Sequence, residues 1–202
     1  MAETDAPQLY LVTPRRFELS AFAPRMAAVL DAREVACVRL RLDAPADAIA
    51  RAADGLRDIC HARDVAFVIE DHWKLVGPHG LDGVHLSDPR SLRDVRKELG
   101  KDAIAGVFCG TSRHAGMTAG EIGADYVSFG PVTSDPMLGN GELAEAELFE
   151  WWSQMIEVPV VAEGGLTAET VAELRAFADF LAVGDEIWSA DDPVAELGAL
   201  LG

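Results

Sequence analysis

The chain has few cysteines, few lysines and no long apolar run, and each shortage excludes something. Its three cysteines, Cys37, Cys60 and Cys109, are odd in number and far apart, a pattern that suits neither a disulfide framework nor a zinc knuckle. They read as buried free thiols. No apolar stretch approaches the roughly 20 residues of a helical membrane span. The opening M-A-E-T-D-A-P is acidic where a secretory leader would be basic and then apolar. The expectation is a cytoplasmic protein that does not enter a membrane. Lysine is limited to Lys74, Lys97 and Lys101, and beyond residue 101 the only basic side chains are Arg113, His114 and Arg175. With 17 Lys and Arg against 34 Asp and Glu, the formal net charge is −17. Such a surface repels nucleic acid and anionic lipid. A small-molecule substrate is the expected partner.

What is present is alternation. Half of the 202 residues are hydrophobic, enough for a sizeable core. Short apolar runs recur at Q-L-Y-L-V (8–12), V-A-C-V-R-L-R (35–41), V-A-F-V-I-E (65–70), G-V-H-L (83–86), A-I-A-G-V-F (103–108), Y-V-S-F (126–129), V-P-V-V-A (158–162) and F-L-A-V (180–183). Between them lie Ala/Leu/Arg/Glu-rich stretches with helical periodicity, such as 46–63 and 168–177. Near-continuous apolar strands separated by helices indicate a parallel sheet with both faces covered. Eight such units predict a (β/α)8 TIM barrel formed by residues 1–202 as one compact domain, with a doubly wound sheet as the alternative. One loose stretch, S-D-P-M-L-G-N-G-E-L (134–143), follows the sixth run. Trp151 and Trp152 pack the sixth helix or an oligomer surface, which leaves a homo-oligomer open.

In such a barrel, chemistry sits where strands end and loops begin. That rule selects Arg39, Arg41 and Asp43 after strand two, Glu70-Asp71-His72 after strand three, and His85 with Ser87, Asp88 and Arg90 after strand four. Strand five offers Cys109 and a Gly-Thr-Ser turn, strand six Gly130-Pro131, strand seven Glu163-Gly164-Gly165, and strand eight Gly184-Asp185-Glu186. The Glu70-Asp71 pair has no packing motive, which favours function. Glu163 has two ordinary explanations: a helix cap, or an ion pair with Arg39 or Arg41 across the barrel. His85 at a strand end has the ordinary role of orienting a loop, and His72 and His114 read as surface residues.

Several pieces together resemble one family. The order L-Y-L-V-T, V-R-L-R, I-E-D, D-G-V-H-L (82–86), G-A-D-Y-V-S-F-G-P-V (123–132), P-V-V-A-E-G-G-L and A-D-D-P resembles thiamine phosphate synthase and its thiazole tautomerase relatives over nearly the whole chain. The resemblance implies a (β/α)8 barrel. It also implies an enzyme that joins hydroxymethylpyrimidine diphosphate to a thiazole phosphate, releasing diphosphate with help from Mg²⁺. Along strand two, where the family shows Q-x-R-x-K, this chain has Arg39-Leu40-Arg41-Leu42-Asp43, so Arg41 alone matches the diphosphate grip. Asp71 keeps the carboxylate that the resemblance assigns to magnesium, with Glu70 or Asp88 as its companion. Arg90 stands where the family has a second carboxylate. The T-x-T-K that follows G-P in the family is Thr133-Ser134-Asp135-Pro136 here, without its lysine.

By the same resemblance, the turn containing Gly164 and Gly165 and the turn at Gly184 hold the thiazole phosphate through backbone N–H groups. Gly130 lies beside them. Here Glu163 replaces an apolar residue and Asp185 a serine. Two unit charges about 4 Å apart repel by roughly 4 kcal/mol at an effective dielectric near 20, more than the roughly 0.3–2 kcal/mol of a helix terminus. Ionised carboxylates therefore disfavour phosphate, unless Arg39 or Arg41 neutralises them. Three readings follow. One is a synthase whose diphosphate clamp uses Arg39, Arg41 and Arg90. Another is a barrel enzyme with acid-base chemistry at Glu70, Asp71, His85 and Glu163 on a non-phosphorylated ligand. The last is a non-catalytic binding or assembly module.

Overall fold

A computed structural model describes residues 6–135 and 137–202. Eight parallel strands close in chain order: β1 (Gln8–Val12), β2 (Cys37–Leu40), β3 (Ala66–Glu70), β4 (Gly83–Leu86), β5 (Ile104–Phe108), β6 (Tyr126–Phe129), β7 (Val160–Glu163) and β8 (Phe180–Val183), which pairs back onto β1. The fold is the expected (β/α)8 TIM barrel rather than a doubly wound sheet. Around it lie α1 (Leu19–Ala32), α2 (Ala46–His61), the short α3 (Val76–His79), α4 (Leu92–Leu99), α5 (Arg113–Ile122), α6 (Ala146–Met155), α7 (Ala168–Leu174), the short α8 (Asp185–Trp188) and α9 (Pro193–Leu201). None of the described helices is long and apolar enough to cross a membrane.

Periodicity explains most of these elements. In α2, Ile49, Ala52, Ala53, Leu56 and Cys60 are buried, a stripe at the spacing of one helical face. Helix α7 starts at a capping box in which Thr167 and Thr170 each accept the other's backbone N–H. The seventh strand begins after Pro159, which has no N–H to give, and it includes Glu163, paired in register with Ala182. Glu163 is therefore the last residue of the strand, with a fixed face, directly before the glycine turn.

The core has two shells. Between strands and helices pack Phe67, Val84, Phe129, Phe149 and Trp152 among others. Trp152 is fully buried and donates its indole N–H to Val158 O at 2.7 Å, while Trp151 is half-buried beneath the Arg113 guanidinium. Inside the barrel lie Tyr10, Val12, Cys37, Val68, Tyr126, Val161 and Ala182. Gly106 makes room there, since a Cβ at that position would stand 1.9 Å from the Tyr126 ring. The thiols of Cys37, Cys60 and Cys109 are free, and burial pushes each up to about 12.

The lower rim is locked by three aspartates, each at the start of an even-numbered strand. Asp82 accepts from Phe67 N, Asp125 from Ala105 N and Asp179 from Val160 N, each at 2.7 Å. Each ties its own strand to the preceding one at the N-terminal end, the face of a barrel that serves stability.

Candidate functional site

Strand alternation turns Arg39, Glu70, His85, Ser128 and Glu163 toward the barrel axis near the C-terminal ends of β2, β3, β4, β6 and β7. There they form one polar layer above the apolar one. Arg39 and Glu163 are 2% and 3% exposed. Arg39 Nη2 donates to Glu163 Oε2 at 2.5 Å, and its Nε lies 3.4 Å from Glu70 Oε2. Ser128 Oγ donates to Glu163 Oε1 at 2.5 Å. His85 Nε2 is 3.8 Å from that same oxygen, and its Nδ1 is 3.1 Å from the Tyr126 hydroxyl, itself 2.7 Å from the Tyr10 hydroxyl.

Burial decides the protonation states. It drives His85 well below its ordinary value, and the Arg39 charge acts in the same direction, so the imidazole is neutral at pH 7. Burial alone would raise Glu163. The Arg39 charge overrides it, and hydrogen bonds from Arg39 and Ser128 help hold the carboxyl at about 2. Glu70 is raised, because burial outweighs the pull of Arg39 and the Glu163 charge adds to it.

Outward from this layer, Arg41 Nη2 donates to Asp185 Oδ2 at 2.9 Å. Arg15 Nη1 lies 3.6 Å from Asp43 Oδ1. Asp71 adopts a left-handed φ of +57°, and its carboxylate accepts from Ser87 N at 2.8 Å and Ser87 Oγ at 2.6 Å. Arg15, Arg39, Arg41, Glu70, His85 and Ser87 line a cavity of about 290 Å³ closed on its other side by Phe108 and the 137–139 loop. The buried Nε–H groups of Arg15, Arg39 and Arg41 have no hydrogen-bond partner among the described residues.

The structure thus brings Arg39, Arg41, Glu70, Asp71, His85, Glu163 and Asp185 to one mouth, and it corrects the roles expected of some. Glu163 does not oppose an anion at the glycine pair: its carboxylate is neutralised by Arg39 inside the barrel, and Asp185 is neutralised by Arg41. Asp88 accepts from Arg90 N at 2.8 Å and Nε at 2.7 Å, and the Arg90 side chain is 89% exposed. Neither lines the cavity. Among the described residues, no three His, Cys, Asp or Glu side chains form a metal cluster. Gly130 is explained by packing, since a Cβ there would stand 2.2 Å from Glu163 O.

The turns after β7 and β8 direct their backbone donors at a side chain of the chain itself. Gly164 and Gly165 have φ of +87° and +73°, and Gly165 N, Leu166 N and Gly184 N all point at the carboxylate of Glu186. Sequence reasoning placed Glu186 at a strand end but gave it no role. Arg15 carries the same signal unread, since T-P-R-R follows the first run and so lies at a strand end too. Ser128, Tyr10 and Tyr126 lie within strands, and only their alternation with apolar neighbours marks them as inward-facing.

Residues 9–187 match the family model described as thiamine monophosphate synthase. The chain is 49% identical to a thiamine-phosphate synthase of Rhodospirillum centenum over 185 residues, covering 90% of this chain and 89% of that one. It is 43% identical to the thiamine-phosphate synthase of Erythrobacter litoralis over 205 residues, covering 96% and 95%. Among solved structures, thiamine phosphate pyrophosphorylase from Pyrococcus furiosus superposes with a TM-score of 0.82 at 23% identity, over 98% of this chain and 95% of that one. At that identity, the structural likeness speaks to the fold.

Proposed function

The chain belongs to the thiamine monophosphate synthase family, and from that membership we propose that it joins hydroxymethylpyrimidine diphosphate to a thiazole phosphate and releases diphosphate. The observation that carries this reading is the set of three arginines, Arg15, Arg39 and Arg41, whose buried Nε–H groups lack partners beside a cavity of about 290 Å³. A leaving diphosphate takes the electrons of the breaking bond, so negative charge grows on its oxygens. Guanidinium donors held in place by the barrel stabilise that charge with little reorganisation. Arg41 keeps the arginine of the family's grip, and Arg15, just past β1, adds a cation where the lysines after strands two and six are missing.

The site fits a magnesium ion held mainly by substrate oxygens. Magnesium takes one or two carboxylates plus phosphate oxygens and keeps several waters. Asp71 does not itself line the cavity but is held by Ser87, which does, and would supply one carboxylate, while Glu70 faces Arg39 and Asp88 is engaged by Arg90. When bound, the ion would help neutralise the diphosphate. Neutral His85 lines the cavity beside Glu163, and its Nδ1 is held by the Tyr126 hydroxyl of the Tyr10–Tyr126 pair. A cytoplasmic location accompanies the reading, supported by the free thiols.

The test is turnover. Purified protein with both substrates and Mg²⁺ should yield thiamine phosphate and diphosphate in equal amounts. Arg15→Ala should raise KM for the pyrimidine diphosphate by about 10- to 100-fold, the equivalent of one charge-assisted hydrogen bond at about 1.5–3 kcal/mol. Absence of diphosphate release from the unmutated protein would refute the proposal.

A further inference from the structure

The backbone donors at the ends of β7 and β8 already hold an anion. Glu186 Oε1 accepts from Gly165 N at 3.0 Å and Leu166 N at 3.1 Å, while Oε2 accepts from Gly184 N at 2.7 Å. These donors come from two different loops and converge on one oxyanion, in the manner of backbone nests that bind phosphate or carboxylate. The neighbouring acid takes no part, since Asp185 is paired with Arg41 at 2.9 Å. The space open beside the cradle is small, about 40 Å³, and the three N–H groups themselves are taken. While Glu186 stays, a phosphate cannot reach the three N–H groups.

We propose that Glu186 is a specificity-determining residue of the acceptor site, an internal anion that fills the cradle and that the acceptor's phosphate must displace. The proposal rests on the synthase reading for the identity of the acceptor. It follows from competition. A tethered carboxylate occupies the donors at high effective concentration, so the apparent affinity for an external phosphate falls in proportion to the fraction of molecules in which the cradle is vacant. Glu186 is half-buried at the mouth, so its side chain has solvent to move into. A doubly charged phosphate offers stronger charge-assisted bonds than a carboxylate and can win the exchange. An acceptor with a free hydroxyl offers no such bonds and leaves Glu186 in place. Glu186 thus keeps the two glycine turns ordered when no acceptor is bound and sets the affinity at which a phosphorylated one enters.

The test uses Glu186→Ala and Glu186→Gln in the full chain. With the pyrimidine diphosphate saturating, KM for thiazole phosphate should fall about tenfold in Glu186→Ala and by a smaller factor in Glu186→Gln, which keeps an acceptor oxygen but loses the charge. Inorganic phosphate should raise the melting temperature of both variants more than that of the unmutated protein. If Glu186→Ala does not fold, Glu186→Gln decides by the same two readouts. Unchanged or higher KM, with equal phosphate shifts in all proteins, would overturn the proposal. If no protein turns over, the synthase reading fails on its own, and the phosphate shifts still decide whether Glu186 guards the cradle.

Discussion

Replacing Arg39 with methionine removes the cation that keeps Glu163 ionised inside the barrel. The two side chains are 3% and 4% exposed and 2.5 Å apart. Breaking a buried ion pair from one side typically destabilises by about 3–5 kcal/mol, because the remaining charge is left uncompensated. The carboxyl itself points to a similar size. Lowered from 4.5 to about 2, it contributes on the order of 3 kcal/mol at about 1.36 kcal/mol per pH unit. The sign follows from the direction. A depressed carboxyl stabilises the fold fully above 4.5, and that contribution is lost as pH falls through about 2. In Arg39→Met, burial is opposed only by the Ser128 hydrogen bond and His85, so Glu163 shifts upward, and the variant recovers as pH falls. Glu70, already raised by burial, loses the pull of Arg39 and moves in the same direction. The deficit should therefore be about 3–5 kcal/mol at pH 7.5, a drop of roughly 6–20 °C in melting temperature, and should shrink toward pH 5. Urea unfolding of both proteins at the two pH values, at constant ionic strength, measures it. Adding Glu163→Leu should restore most of the loss, since an apolar pair replaces the ionic one. A deficit below about 1 kcal/mol, or one equal at both pH values, would refute the reasoning.

Asp179→Ala should lower stability by about 1–3 kcal/mol, because it strips Val160 N–H of its acceptor at the lower rim. Its kcat and KM should stay near those of the unmutated enzyme when measured well below the melting temperature. Asp71→Asn keeps an acceptor for Ser87 but loses the charge, so half-maximal activity should require at least about tenfold more Mg²⁺. An unchanged Mg²⁺ titration would remove Asp71 from the metal site.

The site was legible in part. The strand-end rule found Arg39, Arg41, Glu70, Asp71, His85, Glu163 and Asp185, because a buried strand that suddenly carries charge has left the apolar core. It found Asp88 and Arg90 by the same signal, and these turned to each other instead. Proximity in sequence to a strand end says nothing of which way a loop side chain faces. The D-G-V-H-L and G-A-D-Y stretches, the most specific pieces of the family resemblance, contribute aspartates to the lower rim rather than to the mouth. The recurrence of aspartate before an even strand, at Asp82, Asp125 and Asp179, took on meaning only once its hydrogen bonds to the preceding strand were seen.

What the sequence determined by itself was the alternation. Short β-rich apolar runs between helical stripes point to a parallel sheet covered by helices, and eight such units favour a barrel over a doubly wound sheet; the pairing of β8 with β1 closes it. What tertiary structure alone decided was the partner of each charge. Arg39 and Glu163 are 124 residues apart, and Arg41 and Asp185 are 144 apart. Alternation assigns each residue to a face of its strand, but the stagger between strands sets its height in the barrel, and only residues at the same height can meet. That geometry moved Glu163 from an obstacle at the phosphate turn to the anion of a buried pair, and left Glu186 in the cradle.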